Sequence, residues 1–271
     1  MNILSFIEWQ ILGSLVVAHL LGDFVFQTDG DVKGKQKLSA LKFLKHSMIM
    51  ALWSYVLVGL WASWRIPLFL GITHFIIDGM KETVTQRKIR KKDGGRLTSG
   101  FKIWAFSVDQ LLHIMVMVGL ALYISKTSIL CIKPFWFSQF GTIWTQLLVL
   151  VAGLVLTVYV GGVIIGYWVG LFLDQLRNAK EKEPSTDEAR GFENGGKVIG
   201  QLERALIFLF VVTGQPAGVG FLVTAKSIFR FGELKDAKER MEAEYIIIGT
   251  LMSFGWGLTW AWLTQRLLQI I

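Results

Sequence analysis

The apolar residues of this chain come in long unbroken runs, and the bilayer-scale length of those runs limits what it can fold into. A hydrocarbon core takes roughly 20 apolar residues of helix to cross. Runs of that order occupy about 9–26, 43–63, 66–80, 103–124, 143–173 and 245–265, and a further one at about 201–224 is broken in its middle. The third run is short and follows the second through a tight turn at Arg65 and Pro67. A soluble domain shows short periodic stripes and is about a quarter charged. Here 18% of 271 residues are charged and the mean hydropathy is +0.51. The expectation is an all-α, polytopic transmembrane helical bundle of about 6–7 spans, one of them re-entrant if the broken run is a hairpin.

The first run is not read as a signal peptide, which needs a basic flank and a small-residue cleavage site. No Lys or Arg precedes Lys33, and Glu8 stands before the run. It is expected to be a retained span. Cys131 is the single cysteine, so intramolecular disulfides and thiolate metal clusters are excluded. The net charge of +8 sits in short loops between runs, where it encodes orientation and gives no argument for nucleic acid. Trp9, Trp61, Trp64, Trp136 and Trp144 lie near run ends, as in an interfacial aromatic belt.

Orientation follows from the loops. Lys33, Lys35, Lys37, Lys42 and Lys45 separate the first two runs, and Lys81, Arg87, Lys88, Arg90, Lys91, Lys92 and Arg96 follow the third. The positive-inside bias puts both loops in the cytoplasm and the N-terminus outside. Residues 1–125 are expected to form a four-helix membrane domain. Residues 126–271 are a C-terminal membrane region with a cytoplasmic loop at 174–199 and a charged helix at 226–244. The break at Thr213-Gly214-Gln215-Pro216-Ala217-Gly218 allows either a Pro-kinked helix or a hairpin. Helical pairs such as Lys235–Glu239 and Asp236–Arg240 mark the charged segment.

Chemistry concentrates in the four histidines, His19, His46, His74 and His113, all in or at the edge of spans. Three have an aspartate four residues away: His19 with Asp23, His74 with Asp78, and His113 with Asp109. That spacing stacks two side chains on one helix face, where both ligate one ion or the Asp orients the imidazole. With the orientation above, all seven groups fall in the cytoplasmic leaflet. An ionised Asp near a span centre costs roughly 2.5–3.5 kcal/mol, and no Lys or Arg within these four spans stands ready to neutralise three of them. A divalent transition metal (zinc, manganese or iron) would. The metal ligands are expected to be His19, Asp23, His74, Asp78, Asp109 and His113, with His46 and Asp109 catalytic, His46 as ligand or proton shuttle. Capping or snorkelling at its helix start is the competing role for His46.

Several neighbours are weaker candidates. Gln27, Thr28 and Asp29 suit a polar head group or, more simply, a helix end. Gln110 points about 100° away from Asp109 around the helix and is expected to face another neighbour. Lys45 and Lys81 flank the site and suit phosphate steering or plain topology. Glu203 and Arg204 are expected to pair with neighbours or line a cavity with Gln215. Gly162, Gly166 and Gly170 allow a close helix contact.

The chain resembles an uncharacterised bacterial inner-membrane family catalogued as domain of unknown function 3307. The likeness rests on Ala18-His19-Leu20-Leu21-Gly22-Asp23-Phe24-Val25-Phe26-Gln27, on His46, on Thr73-His74-Phe75-Ile76-Ile77-Asp78 and on Asp109-Gln110-Leu111-Leu112-His113. The resemblance implies a multi-pass location in the bacterial inner membrane and carries no assigned activity. Intramembrane His and Asp in a small bundle are similar, by analogy alone, to membrane-bound metal-dependent hydrolases. The leading expectation is such a hydrolase opening to the cytoplasm, with membrane lipids around it and an amphiphilic substrate such as a phospholipid or isoprenoid phosphate. A metal-ion or proton-coupled transporter using the same groups and a non-enzymatic membrane scaffold are the alternatives.

Overall fold

The computed structural model describes residues 6–91, 97–126, 134–180, 195–231 and 237–271. Among them all regular structure is helical. They divide into two compact units, one of 1–97, 104–155 and 271, the other of 98–103 and 156–270. Cys131, Pro184 and the Lys235–Glu239 and Asp236–Arg240 pairs lie outside the described residues.

The first unit opens with α1 (Phe6–Leu20), which runs into a π-helical turn at Leu21–Val25 closed by Phe26 N–H donating to Leu21 O at 2.9 Å. The chain then turns by 86° into the short α2 (Asp29–Gln36). Thr28 caps α2 reciprocally with Asp31: Asp31 N–H donates to Thr28 Oγ1 at 3.2 Å, and Thr28 N–H donates to Asp31 Oδ2 at 3.3 Å. The helix-end reading of Thr28 is therefore correct. Next come α3 (Ala40–Val58), α4 (Arg65–Lys91) and α5 (Ser99–Lys126). The unit closes with α6 (Phe135–Phe140) and α7 (Thr142–Val155).

Small residues set the spacing. A side chain at Gly22 would strike Met50 Sδ of α3. One at Gly71 of α4 would come within 3.4 Å of Ser47 O of α3, so these helices approach backbone to backbone. Gly59 ends α3 at φ 68°, with Trp136 Cδ1 only 2.9 Å from where its Cβ would be. The core joins α1, α3, α4 and α5 through Ile11, Leu15, Val58, Leu70, Met117 and Ile124. At the end of α3 away from the histidines, Trp136 stacks on Trp144 with centroids 5.0 Å apart and donates through Nε1 to Val56 O at 2.6 Å. Trp61 packs edge-on against Trp136 at 5.9 Å.

The second unit contains a π-helical turn at Leu156–Val160, then α8 (Gly161–Lys180), α9 (Gly195–Val212), α10 (Ala217–Phe231) and α11 (Ala237–Ile270). Residues 201–224 form a hairpin and not a kinked rod: α9 and α10 are antiparallel, joined by a turn with Gly214 at φ 77°, and Lys226 Nζ donates back to Glu203 Oε2 at 2.7 Å. Arg204 is buried and donates through Nε and Nη2 to Val158 O, at 3.2 and 2.9 Å, and through Nη1 to Ser253 Oγ at 3.0 Å. Trp256 Nε1 donates to Leu156 O at 2.9 Å. The π turn upsets the ordinary helical ladder, and these two side chains satisfy carbonyls within it. Gly162 leaves room for the Arg204 guanidinium, whereas Gly166 has no neighbour within 4 Å. Arg204→Met should lower stability in detergent by about 1–3 kcal/mol, the cost of a buried acceptor losing its donor. Thermal unfolding followed by circular dichroism measures this, and an unchanged midpoint would remove Arg204 from that role.

Among the described residues, three helices are long and apolar enough to cross a membrane: Ala40–Val58, Ser99–Ile124 and Thr142–Phe172. The bent pair Trp9–Val25 and Asp29–Gln36 makes a fourth if it counts as one span. This is fewer than the six or seven read from the sequence. For two of the missing runs the reason is charge: the apolar stretch of α4 runs directly into Asp78, Lys81 and Glu82, and α9 holds Lys197, Glu203 and Arg204. The run at 245–265, within α11, carries none.

Candidate metal centre

The seven predicted groups come together at one end of the first unit, from five separate elements. His19 comes from α1, Asp23 from the π turn, His46 from α3, His74 and Asp78 from α4, and Asp109 and His113 from α5. All are buried apart from Asp23, whose side chain keeps 10% of its exposure. His46 is not at an edge, as capping or snorkelling would require: it is 2% exposed and lies at the middle of the cluster.

The tightest group is Asp23, His46 and His74. His46 Nε2 and His74 Nε2 face each other at 2.8 Å, and Asp23 Oδ1 lies 3.1 Å from the first and 3.3 Å from the second. Asp78 Oδ2 stands 3.6 and 3.7 Å from the same two nitrogens. Ligands about 2.0–2.1 Å from a tetrahedral ion are separated from one another by about 3.3–3.4 Å. These separations straddle that value, so four donor atoms on two helices and a π turn already bracket one point.

The outer groups behave differently. His19 Nε2 is 3.1 Å from Gln110 Oε1 and 3.6 Å from Asp23 Oδ2, both acceptors, so this nitrogen carries the hydrogen and orients Asp23. Gln110 completes the link by donating to Asp23 Oδ2 at 3.3 Å and to Asp109 Oδ2 at 3.2 Å. The sequence reading turned Gln110 away from Asp109; its long side chain brings the amide back between the two carboxylates. His113 Nδ1–H donates to the Asp109 backbone carbonyl at 2.8 Å, while the Asp109 carboxylate stays 3.8 Å away. That fixes the lone pair on Nε2, which is buried and has no partner. Asp78, Asp109 and His113 form a second, looser group, and His19, Asp23 and His74 a third. A cavity of about 20 Å³, room for one water, is walled partly by His19, His74 and His113.

Two lysines from outside the runs read as spans neutralise two of these aspartates. Lys35 of α2 is buried and donates to Asp78 Oδ2 at 2.6 Å. Lys81, on the turn of α4 after Asp78, donates to Asp109 Oδ2 at 3.0 Å. The Gln27 amide lies between the two sites, accepting from Lys35 Nζ and donating to Asp23 O at 3.2 Å. Lys35 reaches inward because Asp31, one helical turn earlier on the same face of α2, is anchored. Lys45 Nζ donates to both its oxygens at 2.8 and 3.0 Å, and Lys42 Nζ to Oδ1 at 3.0 Å. Gly34 lets α2 lie on the Lys42 stem, whose Cγ would be 2.5 Å from a Cβ there. Hydrogen bonds from Lys45 above all, then from Thr28, hold the Asp31 carboxyl well below the usual carboxylate range.

No curated protein and no solved structure matches the chain significantly. A family model described as Protein of unknown function (DUF3307) matches residues 11–139. That stretch contains every residue of the cluster, and over it the chain is similar to the DUF3307 family.

Proposed function

We propose that the protein is a membrane-embedded, metal-dependent hydrolase whose ion is held by Asp23, His46 and His74. The observation that carries this reading is the mutual approach of their three ligand atoms, at 2.8, 3.1 and 3.3 Å. Two imidazoles and a carboxylate with the next position left for water is a donor set typical of hydrolytic zinc. Manganese and iron accept the same ligands. A divalent ion there would supply a Lewis acid and acidify a bound water. Asp78 Oδ2, at the fourth corner, is placed to complete the set or to take the proton of that water. His19 and Gln110 orient Asp23, and Asp109 with Lys81 forms the flank.

Placement in the membrane rests on the outward faces. Leu44, Met48 and Leu52 of α3 are 47%, 62% and 59% exposed along one stripe, and Leu111 and Met115 of α5 continue the pattern at 56% and 52%. Water-exposed surfaces rarely carry contiguous apolar stripes of this kind, and lipid would cover them. We extend the spans to α4 and to the later apolar helices, six or seven in all, because Asp78 and Glu203 meet lysines and burial in protein satisfies Arg204. The lysine-rich loops put the cluster at the cytoplasmic side of the inner membrane with the N-terminus outside.

A proton relay is the second reading, favoured by one observation: the 2.8 Å separation of the two Nε2 atoms also suits a hydrogen bond sharing one proton. Elemental mass spectrometry of detergent-purified protein separates the two. The hydrolase reading expects about one equivalent of a transition metal, removable by a chelator together with hydrolytic activity. Failure to bind any metal after reconstitution would sink it and leave the relay.

A further inference from the structure

The charges around the centre do not balance once an ion is added. Asp23, Asp78 and Asp109 bring three negative charges, and Lys35 and Lys81 return two. With neutral imidazoles these five groups carry one net negative charge, which a divalent ion turns into one net positive charge. Excess charge in a buried site is costly unless a counter-ion joins it. The position of Lys35 says where that counter-ion sits. Its ammonium is one carboxylate oxygen removed from the paired imidazoles: Nζ is 2.6 Å from Asp78 Oδ2, which is 3.6 and 3.7 Å from the two Nε2 atoms. Its side chain is 8% exposed and aimed inward, whereas Lys33 and Lys37 on the same helix are exposed. Lys42 and Lys45, which share Asp31, remain 37% and 48% exposed, and together with Lys33 and Lys37 they leave the edge beside Lys35 net positive.

We propose that Lys35 is the anion-binding residue of the metal-loaded centre and that the substrate group it binds is a phosphate. This rests on the metal reading above. When the ion draws the charge of Asp78, the Lys35 ammonium is left with a weakened partner beside a Lewis acid, a pairing that holds an oxyanion between them. A single carboxylate would need no rim of further lysines; a phosphate on the end of an amphiphile, or free in the cytoplasm, would be drawn in by it.

The test uses full-length protein in neutral detergent, zinc-loaded and zinc-free. The two probes are labelled inorganic phosphate and labelled phosphatidate dispersed in the same micelles, each measured by equilibrium retention. Zinc-loaded wild type is expected to retain phosphate at least about tenfold more tightly than zinc-free protein. Lys35→Met should lose about tenfold with its zinc content unchanged, and Lys35→Arg, which keeps the charge, should recover most of it. Retention of inorganic phosphate marks a soluble substrate. Retention of phosphatidate alone marks a lipid head group. Zinc-loaded wild type that retains neither probe, or Lys35→Met that retains them as well as wild type, would overturn the proposal and leave the metal centre standing. Wild type that binds no zinc would overturn the centre itself.

Discussion

Asp23→Ala should lower metal affinity by at least about a hundredfold, whereas Asp109→Ala should lower it by less than about tenfold. The contrast comes from geometry, since in sequence the two aspartates look equivalent, each four residues from a histidine. Asp23 Oδ1 lies 3.1 and 3.3 Å from the nitrogens of His46 and His74, and Asp23 Oδ2 is held by Gln110 at 3.3 Å. Removing it deletes the carboxylate ligand and leaves two facing imidazoles, to which a cation is far less attracted. Asp109 is instead engaged by Lys81 at 3.0 Å and by Gln110 at 3.2 Å, so its loss disturbs the flank. Competition against a chromophoric chelator measures both affinities on folded protein. A reversed order, with Asp109→Ala the larger loss, would mean that the ion sits between Asp78, Asp109 and His113, the looser group.

The second large effect is on stability. Lys35→Met in the metal-free protein should cost about 3–5 kcal/mol, because it leaves the buried Asp78 carboxylate without its cation. Both partners are largely out of solvent, with side chains 8% and 4% exposed. Lys42→Met is the control: its ammonium is 37% exposed and shares Asp31 with Lys45, so its loss should stay within about 1 kcal/mol. Added zinc should restore much of the Lys35→Met loss, since the ion takes over the charge of Asp78. Denaturant unfolding in detergent, with and without zinc, measures all of these. Equal midpoints for Lys35→Met and wild type without metal would mean that Asp78 is neutral and the ion pair absent.

The three histidine–aspartate spacings made the cluster legible, because a four-residue step on a helix fixes which side chains share a face. Which atoms meet was not legible. The Asp109–His113 step has the same spacing as His74–Asp78, yet His113 turns its Nδ1 to the backbone. His46 was the weakest of the four in sequence, standing alone near a helix start, and packing makes it central. Lys35 was hidden by its context: five lysines in one short loop read as an orientation signal, and only the sharp turn into α2 shows that one of them points inward. The 100° offset of Gln110 from Asp109 points it to another neighbour, and angle alone takes no account of the reach of a long side chain. The apolar runs made the helical class legible, but counting spans by hydropathy treated α4 and α9 like α3, although both carry charges that find partners only in the fold.

The π turn at Leu21–Val25 has a consequence for how this site can vary. A π turn holds one residue more than the α-helical ladder needs, so everything after it is out of phase with what came before by about 100°. Deleting one residue there would mend the helix and improve its local hydrogen bonding. It would also swing Asp23 or its successors away from His46 and His74 and shift the departure point of α2, which delivers Lys35. In this segment the better helix and the assembled cluster are alternatives, and a chain that loses the extra residue gains regularity while losing both its carboxylate and its buried lysine.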